Sequence, residues 1–161
     1  MVTVAFYKAK GTLYDYIVRW VTKSQYSHCE FIEFIGDDDD KKCIGYTSSP
    51  RDRGVVIREI NFKPDHWDLM EVDWISDGTV FTFVREHLGE PYDWVSIFLT
   101  HFFRFGLHRD GHWICSELLA DALGVSRPWE ISPGDLYRII QERNAENLVP
   151  LDDTKLISAF G

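Results

Sequence analysis

The hydrophobic positions change period several times along the chain, and each change marks an element. "TVAFYKA", from residue 3, reads as a first strand. In "GTLYDYIVRWVTKSQ" the residues Leu13, Ile17, Trp20 and Val21 fall at helical spacing and predict a helix. "YSHCEFIEFIG" is rich in β-formers and runs into "DDDDKK", an acidic turn. "CIGYTS" beyond it reads as the partner strand of a hairpin. "GVVIREI" and "HWDLMEVDW" alternate and extend the sheet.

The period then returns to that of a helix. Asp77, Gly78 and Thr79 open one that carries Val80, Val84 and Leu88 and closes at Gly89. "YDWVSIFLTHFFRFGL" predicts a buried helix. A further helix starts at Cys115, with Leu118, Leu119, Ala122 and Leu123 on one face and Gly124 as its stop. "SPGDLYRIIQERN" predicts a capped helix with Ser132 as N-cap, Pro133 in the first turn and Asp135 in the capping-box position. A cluster of strands followed by helices argues an α+β fold with an antiparallel sheet. No repeat, linker or composition break divides the chain, so residues 1–161 are read as a single domain.

Composition narrows the classes of function. A chain of 161 residues, 45% hydrophobic and 15% aromatic, has material for a sizeable core. The net charge of −9, with no Lys/Arg-rich stretch, argues against binding to nucleic acid or to an anionic membrane by bulk electrostatics. The longest apolar run, "WVSIFLTHFF", is far short of the ~20 residues of a spanning helix, so no membrane span is expected. "MVTVAFYKAKG" has no charged region followed by an apolar stretch, which leaves a cytoplasmic protein as synthesised. Cys29, Cys43 and Cys115 form no CxxC pair and read as reduced thiols.

Two of these features converge on chemistry. Cys115 sits at a helix N-terminus, where backbone N–H groups and the helix dipole favour a thiolate. A thiol nucleophile needs a base, and the base needs an orienting group. Of six histidines, His28 lies within a predicted strand that would fix its direction. Alternation puts His28, Glu30, Ile32 and Phe34 on one face, and Cys29 on the other as a core residue. The orienter is open between Glu30, about 7 Å along the strand, and Thr47 on the neighbouring strand, where facing Cβ atoms lie ~4.5–5.5 Å apart. "HRDGH" spaces His108 and His112 at i, i+4, but the intervening Asp-Gly breaks any helix and with it the geometry of a metal pair, and "GDDDDKK" lacks the ligand set of a calcium loop.

"YSHCEFIEF" followed much later by "WICSELLADALG" resembles the circularly permuted branch of the NlpC/p60 papain-like cysteine hydrolases, in which the strand histidine precedes the helix-start cysteine. The matching residues are Ser27, His28 and Glu30, then Trp113, Cys115, Ser116, Glu117 and Leu118. "GEPYDW" is similar to the segment whose tyrosine lies at the active site in relatives, here Tyr92. "SSPRDRGVVIREI" is similar to a stretch of small phage and prophage members. The sequence departs from the family at the third catalytic position, where "YTSS" carries no charge.

The resemblance implies a papain-like fold and a thiol hydrolase acting on an amide, foremost a cell-wall peptide. Cys115 would be the nucleophile and His28 the base. Backbone N–H groups at Cys115 and Ser116 and the Tyr92 hydroxyl would stabilise the oxyanion, and no metal or organic cofactor is called for. The implied partners are peptide or acyl substrates, peptidoglycan fragments among them, with the oligomeric state left open. Two other readings share the fold: a lipid ester or amide acyl hydrolase or transferase like the lecithin:retinol acyltransferase group, and a non-catalytic phage structural or binding module. A phage setting would place the protein in the virion or at host lysis.

Overall fold

Strand β1 (Val2–Tyr7) is apolar on both faces and is flanked on both sides, by β2 (His28–Phe34) and β5 (Trp67–Val72). With β3 (Lys42–Ser49) and β4 (Gly54–Asn61) they form a five-stranded antiparallel sheet in the order β4-β3-β2-β1-β5. The computed structural model describes residues 1–35, 42–93 and 111–148. Four α-helices occur among them: α1 (Leu13–Thr22), α2 (Asp77–Glu86), α3 (Cys115–Ala122) and α4 (Pro133–Leu148). The protein is thus α+β, as the order of patterns predicts. The helix expected over "YDWVSIFLTHFFRFGL" falls mostly on residues 94–110, outside the described residues, as does most of the acidic turn.

The two faces of the sheet differ. On one, α2, α3 and α4 cover Val2, Val4, Phe6, Cys29, Phe31 and Tyr46, and this is the main core. Leu118 and Leu119 of α3 and Leu136 and Ile140 of α4 are fully buried in it. The other face carries a small cluster, Ala5, Ile32, Cys43 and Phe62, with Ile60 and Trp67 beside it. That thinner cover leaves room for a cleft.

Local signals set the helix ends. The Ser132 N–H donates to Asp135 Oδ2 and the Asp135 N–H to Ser132 Oγ, both at 3.2 Å, which is the reciprocal cap predicted for α4. Helix α3 ends at Gly124, which adopts φ +68°, a left-handed conformation that favours glycine. Helix α2 is capped by Ser76, whose Oγ accepts from the Thr79 N–H. It stops at Glu86, short of the expected Gly89, because His87 Nδ1 donates to the Phe83 carbonyl at 2.8 Å and closes the last turn. Leu88, expected on the buried face, is exposed as a result.

Helix α1 forms where its pattern predicts but sits the opposite way round. Its apolar stripe faces solvent, and its inward side carries Tyr14, Asp15, Val18 and Arg19. The reason is polar. Asp15 Oδ2 accepts from the Thr12 N–H at 2.7 Å, and Asp15 Oδ1 accepts from Ser27 Oγ at 2.8 Å. Arg19 Nη2 donates to the Ala9 carbonyl at 2.5 Å and to Ser27 Oγ at 3.1 Å. These bonds clamp α1 to the residue that precedes His28.

Candidate active site

His28 is the first residue of β2, so the clamp on Ser27 and the β1 ladder together fix where its ring points. Its Nε2 lies 3.3 Å from Glu30 Oε1 and 3.5 Å from Thr47 Oγ1. Both residues left open by the sequence therefore reach the same nitrogen. Their roles differ: the Thr47 hydroxyl proton is directed to the Cys29 carbonyl at 2.8 Å, so toward the imidazole Thr47 offers a neutral acceptor. Glu30 offers a charge.

Glu30 is buried, and a buried carboxylate needs a partner. Arg58 supplies it, donating from Nη2 to Glu30 Oε1 at 3.1 Å, and is itself braced by Asp52 Oδ2, which accepts from Nε at 3.0 Å. Arg58 stands directly across from Gly45 on β3. A Cβ on Gly45 would lie 2.2 Å from Glu30 Oε2, so only glycine leaves space for the carboxylate to fold back along the strand to His28. Burial works against the Glu30 charge, but His28 and then Arg58 outweigh it and hold the carboxyl below its ordinary range.

Cys115 opens α3, with Ile114 in extended conformation ahead of it, and is only 5% exposed. Cys29 was expected to be a core residue pointing away from His28. It does point away, yet α3 docks on that side of β2, so the two thiols meet. The Cys29 thiol donates to the Cys115 sulfur and favours the thiolate; burial opposes it; the His28 imidazolium and the Cys29 backbone N–H add to it. The Cys115 pKa is held well below the ordinary thiol value. Burial and the neighbouring Cys115 charge push the Cys29 thiol up instead. Burial would lower the His28 pKa, but the Cys115 thiolate and then Glu30 raise it to about 10. Near neutral pH this order favours a thiolate–imidazolium pair.

Beside Cys115 stand two tyrosines. Tyr92 is buried on the segment bridged to Trp113, and its hydroxyl lies 2.6 Å from that of Tyr14. Burial keeps both phenols protonated, reinforced for Tyr14 by the Cys115 charge and for Tyr92 by Tyr14 and then Cys115. The pair carries two O–H protons, of which one suffices between the hydroxyls. The Ser116 side chain is engaged elsewhere: its Oγ donates to the Ile131 carbonyl at 2.6 Å, which leaves its backbone N–H in the first turn of α3.

A cleft of about 590 Å³ opens on the thinly covered face of the sheet. Its walls include His28, Glu30, Tyr14, Trp67 and Arg58. Cys115 lines a small recess next to it with Tyr92 and Ile114, and Tyr14 belongs to both walls. Cys115 thus lies behind Tyr14 at the edge of the cleft, while His28 looks into it. Among the described residues no group of three or more His, Cys, Asp or Glu could hold a metal ion, and no helix is long and apolar enough to cross a membrane. His108 lies outside the described residues.

Three contributors escaped the sequence reading. Tyr14 lies off the apolar stripe of α1, so periodicity does not flag it. Cys29 was judged by its direction relative to His28 alone. Arg58 did leave a signal, since it interrupts Val56 and Ile60 on one face of β4. The chain matches no known family model and no curated protein. The grouping of Cys115, His28 and Glu30 therefore stands on its own geometry.

Proposed function

We propose that the protein is a papain-like thiol hydrolase of an amide bond, foremost in a cell-wall peptide, with Cys115 as nucleophile, His28 as acid–base and Glu30 as the orienting residue. The observation that carries this reading is the His28 imidazole held between the Cys115 thiol and a buried, Arg58-braced carboxylate. Glu30 and Thr47 both lie at Nε2, and this reading assigns the other ring nitrogen, Nδ1, to the thiol. The resemblance of "YSHCEFIEF" and "WICSELLADALG" to the permuted NlpC/p60 pattern supports the same assignment.

In the reaction the Cys115 thiolate attacks the substrate carbonyl carbon and the carbonyl π pair moves onto oxygen. Backbone N–H groups at the start of α3 and a tyrosine hydroxyl from the Tyr14–Tyr92 pair receive that oxyanion. Collapse expels the amine, which takes the proton of His28, and leaves a thioester on Cys115. Neutral His28 then draws a proton from water, whose oxygen attacks the thioester. The acid leaves and the thiolate–imidazolium pair is restored.

The test is the pH-dependence of Cys115 alkylation by iodoacetamide in wild type and His28→Ala, followed by turnover of muropeptides against short-chain lipid esters. Reactivity well below pH 8 that is lost without His28 supports the dyad. An ordinary thiol profile that ignores the substitution overturns it in favour of the non-catalytic module. Ester turnover without muropeptide cleavage would favour the acyl hydrolase reading over the peptidase.

A further inference from the structure

The outward face of α1 is unlike any other helix surface among the described residues. Leu13, Tyr16, Ile17 and Trp20 follow one another at i, i+3, i+4 and i+7, with exposures of 77%, 61%, 36% and 75%. Four apolar side chains in one stripe, two of them aromatic, form a contiguous patch of the kind that marks an interaction site. Its charge is as distinctive as its apolarity. In a chain of net charge −9, the only carboxylate of α1 is Asp15, which is turned inward to Thr12 and Ser27. Exposed Lys10 and Lys23 stand at the two ends of the helix.

We propose that α1 is a docking element for an anionic lipid surface, its stripe entering the headgroup boundary while Lys10 and Lys23 meet lipid phosphates. A short helix with Trp and Tyr on its apolar face and lysines at its flanks is suited to lie in the plane of such an interface. A second copy of the chain fits the same face poorly. Antiparallel pairing of two α1 helices would bring Lys10 of each against Lys23 of the other. Gly11, Thr12, Tyr14 and Asp15 form part of the cleft wall, so a docked α1 would hold the cleft close to the lipid surface. The inference is independent of which bond Cys115 attacks.

Flotation of the full chain with vesicles of equal parts phosphatidylcholine and phosphatidylglycerol tests it, with vesicles of phosphatidylcholine alone as comparison. The wild type should co-float with the anionic vesicles and release as salt is raised. Leu13→Glu combined with Trp20→Glu should cut the bound fraction about tenfold. Lys10→Glu with Lys23→Glu, which touches no apolar side chain, should weaken binding to the anionic vesicles only. Cys115 alkylation should be unchanged in both variants, separating loss of docking from loss of the site. A wild type that stays in the lipid-free fraction with both vesicles overturns the proposal. So does flotation that ignores both double variants, and so does a concentration-dependent dimer abolished by the Leu13/Trp20 variant in a protein that binds no vesicle.

Discussion

Glu30→Gln is the substitution that separates an oriented dyad from two neighbours in a core. It keeps the volume and removes one charge, 3.3 Å from His28 Nε2 and 3.1 Å from Arg58 Nη2. An opposite charge at that range shifts a pKa by about 1–3 units, and each unit corresponds to about 1.4 kcal/mol. The His28 pKa, about 10 with Glu30 in place, should therefore fall by about 1–3 units, and the equilibrium constant for the thiolate–imidazolium pair over the neutral pair should drop roughly 10- to 1,000-fold. The sign for Cys115 follows. A depressed thiol pKa means that thiolate is present above it and is lost as pH falls through it, so weakening the depression moves that loss to higher pH. The assay is the rate of Cys115 alkylation by iodoacetamide against pH. The other thiols give little background, since both are buried, Cys29 pushed up and Cys43 raised to about 11 by burial and the Glu30 charge. The cost in stability should be about 3 kcal/mol, the lower end for removing one partner of a buried ion pair, because Asp52 still holds Arg58. Coincident acid limbs in wild type and Glu30→Gln, with a displaced limb in His28→Ala, would refute the role given to Glu30 and pass it to Thr47.

Three further outcomes bear on the same site. Cys29→Ala should raise the Cys115 pKa by removing a hydrogen-bond donor, and Cys29→Ser should restore part of the depression; the alkylation profile reads both. Gly45→Ala should displace Glu30, because the new Cβ falls 2.2 Å from its Oε2, costing about 1–3 kcal/mol in a denaturant melt and shifting the alkylation limb in the same direction as Glu30→Gln. Tyr14→Phe should lower kcat on a cleaved substrate by about 10²-fold, the scale of one lost oxyanion donor, while leaving the Cys115 alkylation profile within a fraction of a unit of wild type.

Much of this arrangement is written in local signals. Ser132, Pro133 and Asp135 name the start of α4 because a cap is satisfied within one turn, and Cys115 is recognisable because a helix begins on it. What stays illegible depends on groups far apart in the chain. The choice between Glu30 and Thr47 hinges on the space at Gly45 and on Arg58 across the ladder, neither of which is visible from the histidine strand. The outward turn of α1 goes with Asp15 and Arg19 meeting Ser27, a contact between distant polar residues that leaves no periodicity to read. Cys29 is in the core, opposed to His28, as alternation predicts, but only the docking of α3 shows that Cys115 arrives on that side.

Residues 27–30 thus hold four consecutive tasks: Ser27 anchors α1, His28 faces the cleft, Cys29 meets Cys115, and Glu30 turns back to His28. Since neighbouring side chains on a strand point to opposite faces, a slip of β2 by one residue would exchange every one of these partners at once. The pairs Tyr7↔His28 to Thr3↔Ile32 on one edge and Phe31↔Tyr46 to Phe34↔Cys43 on the other forbid it. The site has no half-assembled form along that coordinate. Insertions or deletions near Ser27 should therefore act as an on–off lesion, whereas point changes grade the activity.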